Sequence, residues 1–553
     1  MAFCRASIVF IFVTLFVYGS WVHAPVWHEP SQLLAGLNIW KFNRFDTQTV
    51  NPPLVRAVAS LPVLFLSPSH DKDKFNRPPM GRDEFHIAEI FLKANGDRAR
   101  TLFFIGRLAC LVFSVVGVFF CYRFAKDLFG SVSGIFVLLI VCFSPFILGH
   151  GTTIMNDVPT AFMAVIAVYS FRKWLKQPQT FESIIAGTAL GLAVLSKFTL
   201  LVFYPLFFVL WLLYRLPDYQ SLKFKGAIQQ FGGLCLLYAV SVFVINCGYL
   251  GDGTFSSLDS FRFQSLALTG KPDRDVFDRA NRFEGTWLGK LPVPLPKDMV
   301  QGIDLQKLDF ERGFPSYLCG EWSDQGWWYY YLYALLVKTP LGTLVLFLLA
   351  IYCTFFIREC NGTWQDEMVI LIPGIVLLVF VSSQSGFSVH SRYVIPVLPF
   401  FFIWISKVGK AISRKRPVFS TIAITLLLWS VGSSLWIYPH SISYFNEAAG
   451  GPLHGARHLL DSNIDWGQDL FFLERWCRDH PEVTEMKVAC WGSYPLANMT
   501  IPVTGMPPVN APQPGWYALS VNYLYDREEQ YRYFLDFEPT AKIGYSISIY
   551  HLP

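Results

Sequence analysis

The sequence predicts a mainly α-helical polytopic membrane protein with about eleven transmembrane helices and a small extracytoplasmic α/β domain at its C-terminal end. Of 553 residues, 53% are hydrophobic, 17% are aromatic and only 15% are charged, whereas soluble proteins carry roughly 25% charged residues. Apolar runs of roughly 18–22 residues, the length that crosses a bilayer, recur as far as Tyr438, and a polar region follows. We therefore predict a membrane domain over residues 1–438 and a second domain over residues 439–553.

The apolar runs define the predicted spans. They cover residues 7–21, 102–122, 131–148, 159–174, 184–197, 200–214, 232–249, 330–357, 368–383, 393–405 and 419–438. A cleaved signal peptide is the alternative for the first run, but no small-x-small cleavage site follows it, and the Trp and Tyr residues near its end are typical of interfacial anchors. A further apolar stretch, residues 57–66, is too short to cross a bilayer and is predicted to be an interfacial helix.

The basic residues predict the orientation. Short loops between alternate spans carry Arg123, Lys126, Arg172, Lys173, Lys176, Arg215, Lys223, Lys225, Arg358, Lys407, Lys410, Arg414, Lys415 and Arg416. Because cytoplasmic loops are enriched in Lys and Arg, these loops are predicted to be cytoplasmic, together with the N-terminus. The long loops 22–100 and 250–328 and the C-terminal domain then lie on the extracytoplasmic side. The net charge of +5 is small and scattered, so no nucleic-acid partner is expected.

The polar C-terminal region alternates between helical and strand patterns. Residues 470–477 have helical periodicity, and β-rich runs follow at 487–491, 516–522 and 541–550. The eleven cysteines include no CxxC pair, and a disulfide between Cys477 and Cys490 remains open because the sequence does not supply the geometry. No cofactor is firmly expected, and a role for a divalent metal stays open.

Charged residues collect at the predicted outer ends of the spans. Glu29 and Asp157 are carboxylates there, and Lys197, Arg392 and Lys338 are cations on the side that the charge bias leaves poor in Lys and Arg. Ordinary alternatives are a solvated loop carboxylate for Glu29, a helix N-cap for Asp157 and a snorkelling side chain for Lys197. A phosphate bound beside a carboxylate base would explain both charge types.

A polar stretch, residues 438–469, joins the last span to the C-terminal region. It is rich in Asn, Asp and Gly, which favour loops over helix interiors. The stretch either closes over a sugar or acceptor or forms a tightly capped junction. Its Trp466 either stacks on a sugar or anchors the chain at the membrane interface. The hydrogen-bonding candidates are Asn446, Asp461, Asn463, Asp465 and Gln468.

The order of these segments resembles the family C glycosyltransferases, and within them a bacterial-type member of the protein O-mannosyltransferase and aminoarabinose-transferase group. The matching pieces are His28-Glu29 with Asn51-Pro52-Pro53-Leu54, Asn156-Asp157-Val158-Pro159, Leu195-Ser196-Lys197-Phe198, His390-Ser391-Arg392-Tyr393, Tyr444-Phe445-Asn446 and the run from Asp461 to Asp469. The resemblance extends over nearly the whole chain, and the last segment is the most specific.

The resemblance implies an inverting transfer from a dolichyl- or polyprenyl-phosphate sugar, of hexosyl or mannosyl type, to a protein, lipid or glycan at the extracytoplasmic membrane surface. It implies Glu29 and Asp157 as the acidic residues and Lys197 and Arg392 as phosphate ligands, with Lys338 and Arg56 as further phosphate-binding candidates.

Two positions depart from the family pattern. The family has Asp-Glu where this chain has His28-Glu29, so either His28 or Glu29 would act as the base. Asn51 stands where the aminoarabinose transferases have a Lys, which argues against lipid A as the acceptor.

Two other classes of function remain as alternatives. A transporter or flippase of lipid-linked sugars also needs outer-face cations, but it commonly shows paired repeats, which this sequence lacks. A membrane-anchored binding or assembly protein would work through its C-terminal domain and would tolerate changes at Glu29 and Asp157.

Overall fold

The computed structural model describes residues 2–70, 83–216, 224–270 and 280–553. Parts of the two predicted long loops, residues 71–82 and 271–279, therefore lie outside the described chain, as does Lys223 of a predicted cytoplasmic loop. The described α-helices are α1 Ala2–Val22, α2 Glu29–Phe42, α3 Leu54–Leu64, α4 Asp83–Asn95, α5 Arg98–Phe129, α6 Ser131–Cys142, α7 Pro145–Gly151, α8 Asp157–Lys176, α9 Thr180–Val194, α10 Phe203–Arg215, α11 Phe224–Gly248, α12 Leu266–Thr269, α13 Lys297–Arg312, α14 Tyr330–Lys338, α15 Leu341–Phe356, α16 Trp364–Ser382, α17 Leu398–Ile405, α18 Val408–Ala411, α19 Pro417–Ile437, α20 Leu470–Asp479 and α21 Val521–Leu524.

Seven helical segments within the described chain are long and apolar enough to cross a membrane, and there are up to nine if each of two bent helix pairs forms one span. They are Phe3–Val22, Arg98–Phe129, Phe198–Arg215, Lys225–Gly248, Trp364–Ser382, Ser391–Ala411 and Pro417–Ile437. An integral membrane protein is thus supported, but the predicted count of eleven is not confirmed. Helix α9, for example, has only 15 residues.

The predicted span 330–357 is two helices rather than one. Helices α14 and α15 meet at an angle of 111°. The turn lies at Thr339-Pro340, where Thr339 has extended φ and ψ of −97° and 135°. A proline disfavours helical backbone in the residue before it, so the apolar pattern continues while the helix stops. The predicted span 131–148 bends in the same way, by 54° between α6 and α7, where Pro145 begins the second helix.

Two glycines allow α9 and α11 to pack closely. A Cβ atom on Gly187 would lie 2.4 Å from the Leu237 carbonyl oxygen, and one on Gly191 would lie 2.7 Å from the Val244 Cβ. Small residues four apart let helix backbones approach each other in membrane proteins. Any larger residue at either position would force the two helices apart.

The C-terminal region contains a five-stranded mixed sheet. Its strands are β3 Met486–Ala489, β4 Val503–Gly505, β5 Gly515–Ser520, β6 Ala541–Ile543 and β7 Ile547–Leu552, and the order across the sheet is β4-β3-β5-β7-β6. Strand β3 is parallel to β4 and β5, whereas β7 is antiparallel to β5 and β6. A separate antiparallel pair, β1 Ser316–Leu318 and β2 Glu321–Ser323, lies in the second long loop.

Helix α20 and strands β3, β5, β6 and β7 coincide with the predicted patterns, although the run 541–550 is a hairpin of two strands. Strand β4 was not predicted. Cys477 and Cys490 are both free thiols in the structure, so the disulfide that the sequence left open is not formed.

Residues 438–469 return to the end of the first membrane helix. They form short 3-10 turns, including Ser441–Ser443, Pro452–Arg457 and Asp461–Asn463. The backbone N–H of Ala24 donates to the Gln468 carbonyl at 2.9 Å, and that of Trp27 donates to the Trp466 carbonyl at 3.0 Å. The stretch is therefore clamped against the first loop, and this contact positions the site described next.

Candidate functional site

Two cations meet at one buried carboxylate. Asp157 is the first residue of α8 after the N-cap position of Asn156, and it is 2% exposed. The Lys197 Nζ lies 2.6 Å from Asp157 Oδ1, and the Arg392 Nε lies 3.7 Å from Asp157 Oδ2. Asp157 is thus not the N-cap itself. The three predicted residues, which come from distant parts of the chain, converge on one charge cluster with a formal excess of one positive charge.

Trp466 connects this cluster to the first loop. The Arg392 guanidinium lies 4.1 Å from the centre of the Trp466 ring, which is a cation–π distance. The Trp466 Nε1–H donates to His28 Nδ1 at 3.2 Å. Trp466 is 1% exposed. This indole is therefore buried at the centre of the site and is not an anchor at the lipid surface.

His390, Asp461 and Ser462 form the neighbouring polar wall. The Arg392 Nη1 donates to the Ser462 hydroxyl, and His390 Nδ1 lies 2.9 Å from that hydroxyl and 3.2 Å from Asp461 Oδ1. The Asp461 side chain is 37% exposed, which makes it the most accessible carboxylate among Glu29, Asp157, Asp461 and Asp465.

Glu29 is fully buried in an ion pair with Arg107. Arg107 Nε donates to Glu29 Oε1 at 2.8 Å, and Nη2 donates to Oε2 at 2.6 Å. The backbone N–H groups of Val26 and Ile154 donate to the same two oxygens, each at 2.8 Å. Arg107 uses its remaining N–H groups on the carbonyls of Ser20, His23 and Ala24. This bonding fixes the first loop to helix α5 and takes up both carboxylate oxygens.

Lys338 and Arg56 contact backbone rather than the Asp157 cluster. The buried Lys338 Nζ donates to the Ile442 carbonyl at 3.0 Å and to the Asn463 carbonyl, and it lies over the Phe445 ring. Arg56 Nη1 donates to Gln48, and Nη2 donates to the Phe45 carbonyl at 3.3 Å. These contacts stabilise the junction and the first loop, respectively.

Most of the predicted Asn, Asp and Gln side chains of the 438–469 stretch are also hydrogen-bonded to other groups of the protein. The Asn446 amide donates to the carbonyls of Leu336 and Thr339, which satisfies the C-terminal end of α14. Asn463, Asp465 and Gln468 bond to main-chain and side-chain groups around them. These four residues therefore form the capped junction between the last span and the C-terminal region. Of the predicted residues in this stretch, Asp461 and Trp466 are the ones that belong to the candidate site.

Two cavities lie near the site. The first, about 40 Å³, lies against Lys197 and Tyr393 and is otherwise mostly apolar, with Phe380 and Val381 of α16 in its wall. The second, about 410 Å³, lies between the first loop and the segment that follows β3, and it is lined by Trp27, Phe85, His86, Glu89 and Tyr494, among others. The Phe85 ring also contacts His28, with centroids 5.4 Å apart. His28 and Trp466 therefore lie between the second cavity and the cations.

Sequence reasoning missed Arg107, His390 and Ser462 as members of this network. Arg107 had a usable signal, because a charged residue inside an apolar run usually pairs with a buried partner. Ser462 had none, since its contact with Arg392 depends on how residues 438–469 return to the membrane helices.

Residues 76–245 match the family model for dolichyl-phosphate-mannose-protein mannosyltransferases. The predicted resemblance to this group is confirmed over these residues. The mannosyltransferase match includes Arg107, Asp157 and Lys197, whereas Glu29, Arg392 and Trp466 lie outside it. A comparison with curated proteins returns no significant match.

Solved structures give weaker similarities. ArnT from Cupriavidus metallidurans bound to undecaprenyl phosphate is 11% identical, with 98% of this chain and 97% of that chain covered and a TM-score of 0.49. The apo oligosaccharyltransferase of Archaeoglobus fulgidus is 12% identical, with 94% of this chain and 70% of that chain covered and a TM-score of 0.45. At these scores the similarity assigns neither an activity nor a residue role.

Proposed function

We propose that this protein is a membrane glycosyltransferase that transfers a sugar from a polyprenyl-phosphate carrier to an acceptor at the extracytoplasmic membrane surface. The observation that carries the proposal is the pairing of Lys197 and Arg392 around Asp157, beside an apolar cavity walled partly by a membrane helix. A lipid phosphate needs both features, because its chain is apolar and its headgroup is anionic. The mannosyltransferase match supports the same class of donor.

Lys197 and Arg392 are the proposed phosphate ligands. Lys197 lines the first cavity, and its side chain is 15% exposed, so its ammonium can turn from Asp157 to an incoming phosphate. Arg392 is held by Trp466 and Ser462 and keeps its orientation in the absence of substrate. Asp157 positions both cations. A preorganised pair of cations stabilises the charge that develops on phosphate as it leaves.

His28 is the proposed contact to the acceptor hydroxyl. Unlike Glu29 and Asp157, it is only half-buried, and it adjoins the second cavity through Phe85. As long as Nδ1 accepts the Trp466 N–H, a neutral His28 carries its proton on Nε2. Acting as a base through Nδ1 therefore requires His28 to give up that contact, which at 3.2 Å is a long hydrogen bond.

The reaction is proposed as a single inverting displacement. The acceptor oxygen bonds to the anomeric carbon as the bond from that carbon to the phosphate oxygen breaks, and the phosphate leaves with the electron pair. The acceptor proton passes to the base. We propose a hexosyl donor of mannosyl type, on the basis of the family match. The apolar and aromatic residues of the second cavity suit an acceptor that brings an apolar surface beside its hydroxyl group.

The test is transfer of radiolabel from polyprenyl-phosphate mannose, and from other hexosyl carriers, in membranes that contain the protein. We expect label to move to a product other than the carrier. Lys197→Met should lower transfer at limiting donor at least about tenfold, since a hydrogen bond to a charged group contributes about 1.5–3 kcal/mol. The exposed Lys542→Gln is the matched control and should be unaffected. Carrier that crosses the bilayer without any transfer would support the transporter alternative instead.

A further inference from the structure

A second polar cluster lies outside the proposed catalytic site, where three segments of the chain meet. His23 follows α1, His440 follows α19, and Asp469 precedes α20. Asp469 Oδ1 lies 2.9 Å from His440 Nδ1 and 3.8 Å from His23 Nδ1. One ligand atom from each residue lies within 4.8 Å of the other two. Two imidazoles and a carboxylate at this spacing are a donor set that transition metals prefer.

Neighbouring groups fix which atoms point into the cluster. The Pro439 carbonyl lies 3.0 Å from His23 Nε2 and takes its N–H, which leaves the lone pair on Nδ1. Asp469 Oδ2 accepts from the Ser546 hydroxyl at 2.7 Å and from the Gln468 amide at 3.1 Å, which leaves Oδ1 turned towards the imidazoles. Hydrogen bonds of this kind orient the ligands in known metal sites.

The geometry leaves one nitrogen facing only acceptors. With its proton on Nε2, His23 Nδ1 directs its lone pair at the Gln468 carbonyl oxygen, 3.3 Å away, and at Asp469 Oδ1. A lone pair buried against two oxygen acceptors is unfavourable unless a cation lies between them.

We propose that His23, His440 and Asp469 bind a divalent transition-metal ion, most simply Zn²⁺. Zinc takes imidazole and carboxylate ligands at about 2.0–2.2 Å, and three protein ligands leave its fourth position to water or another small donor. The proposal is independent of the proposed function. Its role would be structural, because the ion would join the ends of two membrane helices to the start of the C-terminal helix.

The same ion would act on the loop that holds the proposed active site. The carbonyl of His23 accepts from Arg107 Nη1 at 2.8 Å, and Arg107 in turn holds Glu29. A metal on the His23 side chain therefore fixes the backbone from which the first loop departs.

The test uses the full-length protein purified in detergent. Metal content is measured after dialysis against buffer with equimolar zinc and iron, and Co²⁺ is then substituted. We expect about one zinc per chain and the strong visible absorbance of tetrahedral Co²⁺. His440→Gln should lose both signals. His454→Gln, which changes an exposed histidine at the start of the same region, should keep them. Iron in place of zinc would assign the same three ligands to a different ion.

A second variant tests the orientation of the carboxylate without removing a ligand. Ser546→Ala deletes the hydroxyl that holds Asp469 Oδ2, and loss of such a partner weakens metal binding about 10-fold to 100-fold. Wild-type protein that binds neither zinc, iron nor Co²⁺ would overturn the proposal, as would binding that His440→Gln leaves unchanged.

Discussion

Glu29→Gln should destabilise the protein rather than act selectively on catalysis. The substitution keeps the shape of the side chain but removes its charge from a pair in which both partners are almost completely buried. Breaking a buried ion pair from one side costs about 3–5 kcal/mol, because the remaining charge is left unpaired. The remaining charge would be the Arg107 guanidinium, which donates two hydrogen bonds to Glu29. Such a loss is a large part of the 5–15 kcal/mol that separates folded from unfolded states of typical proteins.

The assay is thermal unfolding of the purified protein in detergent, followed by intrinsic fluorescence, together with transfer activity per folded molecule. We expect Glu29→Gln and Arg107→Met to unfold at clearly lower temperatures than wild type, with similar losses of folded yield. The exposed Glu482→Gln is the matched control and should unfold like wild type. If Glu29→Gln unfolded normally but abolished transfer, Glu29 would be the base, and our interpretation of the buried pair would be refuted.

Three further substitutions probe the site and the capped junction beside it. Arg392→Lys keeps the charge but loses the planar group stacked on Trp466, so kcat/KM for the donor should fall about tenfold. Trp466→Phe keeps a ring for Arg392 and removes the N–H donated to His28, so the pH profile of transfer should shift more than the donor KM. Burial raises the pKa of Asp465 from 3.8 to about 7, so the folded state holds a proton that the unfolded chain has already lost between these values. That contribution to stability is complete below about pH 4 and is lost as the pH rises through about 7. Asp465→Asn should therefore raise the unfolding temperature at about pH 8 and leave it nearly unchanged at about pH 4.

The sequence predicted where the helices lie along the chain better than it predicted where they bend. Apolar runs place helices correctly because length and hydropathy are local properties. They did not predict the 111° bend between α14 and α15, although Pro340 marked its position. Four of the five strands of the C-terminal sheet were also predicted from local patterns, whereas β4 was missed. The order of the strands across the sheet depends on contacts between distant segments.

The same distinction applies to the site: local sequence patterns identify some of its residues, whereas their contacts depend on the fold. Lys197 and Arg392 were predicted because cations on the outer side oppose the charge bias of the loops. Asp157 was predicted because a charged residue at the end of a span is costly. Glu29 was also singled out as a charged residue at the end of a span, but its burial and its partner Arg107 depend on how α2 packs against α5. Sequence patterns identify polar residues in unusual places, whereas only the fold tells which of them already have all their hydrogen bonds.

The most direct test is an experimental structure of the protein with a polyprenyl phosphate bound. We predict that the phosphate lies within hydrogen-bonding distance of both Lys197 and Arg392, with the lipid chain leaving through the apolar cavity beside α16. A phosphate bound at Lys338 or Arg56 instead, with Lys197 still paired to Asp157, would contradict the proposed phosphate site.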